Sequence, residues 1–596
     1  MSGGLAFSFG GLRLTSSDAH RPLIGALIAA AMYAAASGTA RVRADLDALH
    51  KRLTPAIVAG ALTGCVLIVG VTNNSWSVGA SDSYSYVSQA DLWLRGNLKV
   101  PVPIADAAPW PNALATFTPF GYSTVPNETA IAPMTGSGLP LLMATFKLVA
   151  GHPAAFLVAP LSGGLLVWTT FLIGRRLGSD RIGLGGAWLV ATSPTFLMMF
   201  KSQMSDVPAA ACWALATYWI LGQTKRSAVA AGLAASLAIL IRPNLVPIAA
   251  VLAAYAFVAD PQGPRRTTNE RGIAAPAFQV RGAAFALATL PGCLVVAAIN
   301  YWLWGSPLSS GYGDLTSIFS LSNVPMTLAS YGRWWTESQT PMAIIGVVVL
   351  LAAPGRVWAT SAGRSGARLL AGVLIAVWAL YAIYPAFDAW WFLRFLLPSW
   401  PALCVGTAGG IAWLFDGRVK WGRTLALVAL VALGVYGLMF AARRGVFPAG
   451  EGERRYATIA TLVRAQTEPS AMILSAIHAG SLRYYAGRAT MRFDRLDEAW
   501  LDRAVAWLQQ QGRHPYVLVE DWEMPLFTRR FAERNALGSL RMAPALAYRA
   551  YQIPGTVYLF DPMRSAGPTL EPPPIRDPRP RCAPPAPPPP LTAAPW

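Results

Sequence analysis

Eleven apolar runs, most of them near twenty residues, punctuate the chain between residues 53 and 442, and no other feature limits the fold so severely. In a hydrocarbon core roughly 30 Å thick, with no water to satisfy the backbone, a helix of about 20 apolar residues is the natural spanning unit. The runs lie near 53–72, 153–174, 182–200, 207–222, 227–241, 244–259, 282–303, 341–354, 369–386, 395–415 and 424–442. Those at 227–241 and 341–354 are short enough to be tilted or interfacial. Of the 596 residues 13% are charged and 54% hydrophobic, whereas soluble domains carry roughly 25% charged residues. The expected fold is a polytopic α-helical membrane protein with about eleven transmembrane helices filling residues 53–442. Residues 1–52 form an N-terminal segment whose Ala-rich stretch at 22–40 is marginally hydrophobic. That stretch reads as an extra helix or as an extension upstream of the start, and it lacks the cleavage pattern of a signal peptide.

A net charge of +19 would suit nucleic acid, but the basic residues sit in short clusters between apolar runs rather than on one face, so no nucleic-acid partner is expected. Their placement orients the chain instead, because Lys and Arg in short loops mark the cytoplasmic side. "RVRADLDALHKR", "GRRLGSDR", "QTKRS", the 260–281 loop, "GRVWATSAGRSGAR" and "DGRVKWGR" fall in alternate connections. Asp82, Asp206, Asp314, Glu337 and Asp388 then all face outward, as do Lys201, Arg242 and Arg394. "AARRG" at 441–445 runs against this parity, which holds if a long domain that follows is translocated regardless of charge. Cys65, Cys212, Cys293 and Cys404 fall inside apolar runs and read as small buried hydrophobes. No two cysteines have metal-ligand spacing, and His152, His478 and His514 read as structural. "GLGG" at 183–186 follows no strand and reads as helix packing.

The first outward connection, 73–136, is long, and long ordered loops are usually functional. It opens with "SDSYSY", runs into the amphipathic "VSQADLWLRG", and carries Trp110, Phe117, Phe120 and Tyr122, residues suited to the membrane interface. "LPLLMATFKLVAG" at 139–151 is too short to span and suits a second helix lying on the surface.

One helix, a long outer loop opening on an acid, two surface helices and then a crowd of helices resembles the GT-C class of glycosyltransferases. More narrowly, it resembles family 39 and its bacterial relatives, the polyprenyl-phosphate-sugar protein mannosyltransferases and lipid A aminoarabinose transferases. In that family the loop opens with an Asp-Glu-x-x-Tyr-like motif, and here Asp82-Ser83-Tyr84-Ser85-Tyr86 corresponds, with Asp82 at the catalytic aspartate and Tyr86 at the tyrosine. Ser83 replaces the glutamate, which puts a second carboxylate there in doubt. "KSQMSDVPAAACWALATYWI" is similar to the second outer loop and maps Asp206; "FLRFLLPSWPALCVG" is similar to a late helix and maps Arg394. "SAIHAGSLRYYAGRATMRFD" at 475–494 resembles the start of a soluble C-terminal domain, and the likeness covers roughly residues 50–560.

The resemblance implies transfer of a sugar from a polyprenyl-phosphate donor to a protein, lipid or glycan acceptor of the cell envelope, outside a bacterial inner membrane. Such a donor carries its own leaving group, so one base and positive charge for the phosphate suffice. A glycosidase, by contrast, normally pairs two carboxyl groups. Asp82 is expected to be the base of an inverting attack and Arg394 the phosphate clamp. Asp206 and Glu337 are expected to bind acceptor or position loops, and Lys201 and Arg242 are further candidates for the phosphate. No cofactor is assigned, and a divalent metal stays open: no compact acidic cluster marks a site, but residues far apart in sequence could assemble one. The plainer alternatives are that Asp82 and Asp206 cap their helices, that Arg394 is an interfacial anchor, and that Glu337 is a solvated loop residue. A transporter or flippase, or a non-catalytic envelope scaffold, would share the composition. No internal repeat is visible, and the acids sit at helix ends rather than at mid-membrane depth.

From about 447 to 563 helical patterns such as "RLDEAWLDRAVAWLQQQG" alternate with strand-like "AMILSAI", "YVLVED" and "TVYLFD", predicting a small extracytoplasmic α/β domain. "GSLRYYAG" there binds acceptor or simply starts a helix. Residues 566–596 are proline-rich and expected to be an extended tail.

Overall fold

The computed structural model describes residues 52–258, 274–313, 318–416, 418–549 and 555–564, with short pieces of the first 51 residues and residues 266–268. The tail at 566–596, Asp314 and much of 22–40 lie outside the described residues.

Each of the eleven apolar runs contains helix, but they are not eleven full spans. Among the described residues six helices are long and apolar enough to cross a membrane: Pro55–Thr72, His152–Leu177, Gln279–Trp304, Ser361–Ala382, Trp390–Phe415 and Gly422–Arg443. Leu321–Gln339 and Ala343–Ala352, bent by 116°, make a seventh if they form one span. Proline sits at the break within one apolar run and between two others. The predicted span at 182–200 is two helices, Asp180–Ala191 and Pro194–Met199, because Pro194 cannot continue the first. Pro243 opens a separate turn between Lys225–Ile241 and Val246–Val258.

Helix starts in the basic loops are capped by hydroxyls. Thr54 accepts from the Ile57 amide at 3.3 Å, Ser179 from Ile182 at 3.3 Å, and Thr360 from Gly363 at 3.0 Å. Thr224 and Ser227 cap one another reciprocally. The "GLGG" glycines are packing residues: a Cβ on Gly183 would lie 2.4 Å from the Phe171 carbonyl oxygen.

The loop after Pro55–Thr72 folds into the helix Asp82–Leu94 and a small antiparallel sheet. Its strands are β1 (Val100–Pro101), β2 (Tyr122–Thr124) and β3 (Ala130–Pro133), in the order β1-β3-β2. Gly138–Ala150 packs against Asp82–Leu94 with Leu139 and Met143 buried and Leu148 and Val149 exposed.

Beyond Gly422–Arg443 come the helix Ala449–Gln466 and a five-stranded mixed sheet. The strands are β4 (Met472–Leu474), β5 (Ala489–Met491), β6 (Pro515–Glu520), β7 (Leu546–Arg549) and β8 (Thr556–Phe560), ordered β7-β8-β6-β4-β5. β4 runs parallel to β5 and β6, while β8 is antiparallel to β6 and β7. This unit shares one apolar core with the first loop. Trp110 meets Trp507 edge to face at 5.2 Å, and the Arg492 amide donates to the Thr116 carbonyl.

A buried acid–base group lies behind β6. His478 Nε2 is 2.8 Å from Glu520 Oε1, and Arg455 Nε donates to the same oxygen at 3.1 Å. Burial would raise the Glu520 carboxyl, but the His478 hydrogen bond and charge, with Arg455, outweigh it and hold it down at about 2. Glu523 has no such partner: burial pushes its carboxyl up to about 7, although it accepts from the amides of Ile477 and Glu520. A carboxyl raised in the folded state stabilises below its unfolded value, and that contribution is lost as pH rises through about 7. The lowered Glu520 has the opposite sign, its contribution vanishing as pH falls toward about 2. His478, lowered by burial, also costs stability as pH falls below its ordinary value near 6.5. Comparing Glu523→Gln with wild type isolates Glu523. The variant is expected to gain thermal stability relative to wild type as pH rises from about 5 to 8, by on the order of 3 kcal/mol at most, as read by melting curves in detergent.

Candidate functional site

Four charged side chains distant in sequence converge where the 73–136 loop meets the helix bundle. Asp82 is the first residue of Asp82–Leu94, and Asp206 the first of Asp206–Ile220. Neither helix start has a side-chain cap, so capping does not account for these acids. A helix N-terminus still favours a carboxylate in its first turn. Arg242 ends Lys225–Ile241, where a cation suits the opposite pole. Arg394 comes from the 3-10 stretch Trp390–Ser399.

Arg242 Nη1 lies 2.5 Å from Asp206 Oδ1, and Arg394 Nη1 lies 3.8 Å from Asp206 Oδ2. Arg394 Nη2 reaches Asp82 Oδ2 at 3.3 Å, so the order through space is Asp82, Arg394, Asp206, Arg242. Phe395 sits between the two guanidiniums, 5.1 Å from Arg394 and 5.2 Å from Arg242. Phe392 and Tyr381 extend this aromatic bed. The Asp206 side chain is 2% exposed and Arg394 13%, whereas Asp82 is 34% exposed. Asp206 is therefore the internal member and Asp82 the one open to an incoming group. Arg394 is a largely enclosed partner of two acids rather than an interfacial anchor.

Donors are left over in this cluster. Arg394 Nε and the Tyr331 hydroxyl are buried without a hydrogen-bond partner among the described residues. An unmet buried donor costs about 1–3 kcal/mol, more when charged. Unmet donors beside guanidiniums suit an anion. Tyr86, one helical turn from Asp82 and on the same face, donates to Ser205 Oγ at 2.8 Å and so ties the Asp82 helix to the turn before Asp206. Burial raises its hydroxyl well above the ordinary range, which keeps it protonated. Asn244 Nδ2 donates to the Tyr381 hydroxyl at 2.9 Å, and Tyr312 lies near Tyr86, Asp82 and Arg242.

The other two sequence candidates are not in the cluster. Lys201, 2% exposed, donates to the Val446 carbonyl and, at 3.1 Å, to that of Phe447. It fastens the turn after Pro194–Met199 to the chain entering the C-terminal unit, and its ammonium is spent on those carbonyls. Glu337 pairs with Arg333 at 2.8 Å and Arg444 at 3.8 Å. Arg444 places the "AARRG" stretch beside Glu337. Tyr331, Tyr381 and Tyr312 escape sequence reasoning because no motif or charge marks them. Among the described residues no group of three His, Cys, Asp or Glu is placed to hold a metal ion, and the Arg394 guanidinium bridges Asp82 and Asp206.

Residues 139–290 match the family model of dolichyl-phosphate-mannose-protein mannosyltransferase. This bears out the family resemblance over less than half of the chain. Lys201, Asp206 and Arg242 fall within the matched stretch, Asp82 and Arg394 outside it. No curated protein matches the sequence. Among solved structures, the chain is similar to the Archaeoglobus fulgidus oligosaccharyltransferase tethered with an acceptor peptide, at 11% identity and TM-score 0.49, over 84% of this chain and 74% of that one. It is also similar to ArnT from Cupriavidus metallidurans bound to undecaprenyl phosphate, at 14% identity and TM-score 0.48, over 85% and 99%. The arabinofuranosyltransferase AftD from Mycobacteria is similar at 12% identity and TM-score 0.45, over 78% and 35%. No residue role follows from likenesses at that level.

Proposed function

We propose that this protein transfers a sugar from a polyprenyl-phosphate carrier to a cell-envelope acceptor on the outer face of the membrane, with inversion at the anomeric carbon. The observation that carries the reading is Arg394: largely enclosed, within ion-pair distance of both acids, and holding an unmet Nε donor. The exposed carboxylate of Asp82 takes the proton of the acceptor hydroxyl as its oxygen attacks the anomeric carbon. The bond from that carbon to the phosphate oxygen breaks, and the carrier leaves as a phosphate with one more negative charge. Arg394 and Arg242 stabilise that growing charge, an interaction stronger in the transition state than before it. Asp206, held between the two guanidiniums, keeps them parallel to their task and is a positioning residue. The family match over residues 139–290 supports a polyprenyl-phosphate sugar as donor.

The test is transfer by the purified protein in lipid nanodiscs, supplied with labelled undecaprenyl-phosphate sugars beginning with mannose and aminoarabinose, and with envelope extract as acceptor. Transfer by wild type is expected for at least one donor. Arg394→Gln is expected to weaken undecaprenyl phosphate binding by about 10- to 100-fold, the worth of charge-assisted hydrogen bonds. Unchanged binding in that variant removes the phosphate assignment.

A further inference from the structure

The chain enters the Asp82 helix through Asn74–Ser81, and Asn74 to Val78 is entirely buried. Trp76 and Ala80 hold the left-handed region, at φ 40° and 49°, a conformation unfavourable for residues with a Cβ and kept only where surroundings enforce it. The bundle holds the first half of the segment, Asn74 donating to the Phe156 carbonyl and the Ser75 amide to that of Lys201, and the C-terminal unit holds the second half. Ser77 Oγ donates to the Glu453 carbonyl at 2.9 Å, and a Cβ on Gly79 would lie 2.0 Å from the Tyr456 ring. Ser83, at the position of the family glutamate, donates to the Gly79 carbonyl at 2.7 Å and accepts from its amide at 3.0 Å.

The "GSLRYYAG" stretch completes the hold. Residues Leu482–Ala486 form a single π-helical turn, a form enriched at functional sites. It points consecutive tyrosines at opposite ends of the Asp82 helix. The Val78 amide donates to the Tyr485 hydroxyl at 2.9 Å, four residues before Asp82. The Tyr484 hydroxyl donates to Asp91 Oδ2 at 3.0 Å, nine residues after it, and that acid also pairs with Lys147. Both tyrosines are buried, so neither is offered to an acceptor.

We propose that Tyr485 and Tyr484 are positioning residues that fix the Asp82 helix at both ends, which makes the C-terminal unit part of the catalytic apparatus. The inference rests on the assignment of Asp82 as base. Tyr485→Phe keeps the ring and removes the acceptor of the Val78 amide; Tyr484→Phe keeps the ring and removes the donor to Asp91. Hydrogen exchange of the full-length protein in nanodiscs is expected to quicken about 5-fold at residues 74–82 in Tyr485→Phe, with bundle helices unchanged. In the transfer assay with the undecaprenyl-phosphate sugar that wild type accepts, kcat is expected to fall 10- to 100-fold, as small misplacements of a reacting group do, with KM for that donor within 2-fold. Exchange at 74–82 that stays at the wild-type rate overturns the proposal, and so does quicker exchange with unchanged kcat. A matching rise in KM also overturns it, since that places the tyrosines in donor binding. If wild type transfers none of the sugars, the functional reading falls, and exchange alone then decides whether the tyrosines fix the helix.

Discussion

Asp82→Asn is expected to lower sugar transfer by about 10²- to 10⁴-fold, the usual worth of a general base, while leaving the protein folded and able to bind undecaprenyl phosphate. Asparagine keeps the shape of the side chain and can still face Arg394, so the ion pair at 3.3 Å is the chief loss besides the base. That pair is partly exposed, and exposed pairs contribute about 0–1 kcal/mol; the melting temperature should therefore move little. The measurement is single-turnover transfer with the accepted donor, beside a binding curve for undecaprenyl phosphate and a melting curve. Lost transfer with preserved binding and melting identifies a group used in the chemical step. Equal transfer by the two proteins removes Asp82 as base. Movement of the lipid-linked sugar across the bilayer, with no transfer by wild type, would favour the transporter alternative.

What could be read from sequence divides along physical lines. Apolar composition identifies helices well, because burial in lipid leaves the backbone few alternatives, and every predicted run contains one. It measures their length poorly, since Pro194 splits the 182–200 run, whose hydropathy runs on smoothly, into two helices. Charge parity put Asp82, Asp206, Arg242 and Arg394 among the residues expected to face outward, and these four meet in space although they are up to 312 residues apart. The same parity could not tell a phosphate ligand from a fastener: Lys201 is at a suitable helix end, yet its ammonium closes on the carbonyls of Val446 and Phe447. Glu337 was legible in retrospect, for Arg333 stands one helical turn earlier and claims it. The tyrosines around the guanidiniums left no signal, because an uncharged residue in an apolar helix looks like packing until the fold shows what its hydroxyl meets. "GSLRYYAG" likewise reads as acceptor binding or a helix start, and only the π-turn shows its two rings holding the Asp82 helix.

Removal of Asp206 should have the largest effect on the site's stability. At 2% exposure it is the most enclosed of the four charges, and it is shared by Arg242 and Arg394. Asp206→Ala leaves two neighbouring guanidiniums with Asp82 as their remaining acid, and stripping one partner from a buried pair costs about 3–5 kcal/mol. A clear fall in melting temperature is expected in detergent without lipid phosphate. Undecaprenyl phosphate should then restore part of the loss, because a ligand at 100 times its Kd stabilises by about 2.7 kcal/mol. The shift it produces should be larger in Asp206→Ala than in wild type, since the phosphate no longer competes with an internal carboxylate for the same donors. Transfer should remain low even at saturating lipid, because guanidiniums drawn wholly onto the phosphate are no longer held where the departing charge develops. A larger lipid-induced shift with poor transfer separates anion binding from anion positioning. A smaller shift than in wild type would mean that Arg242 and Arg394 serve the fold rather than the donor.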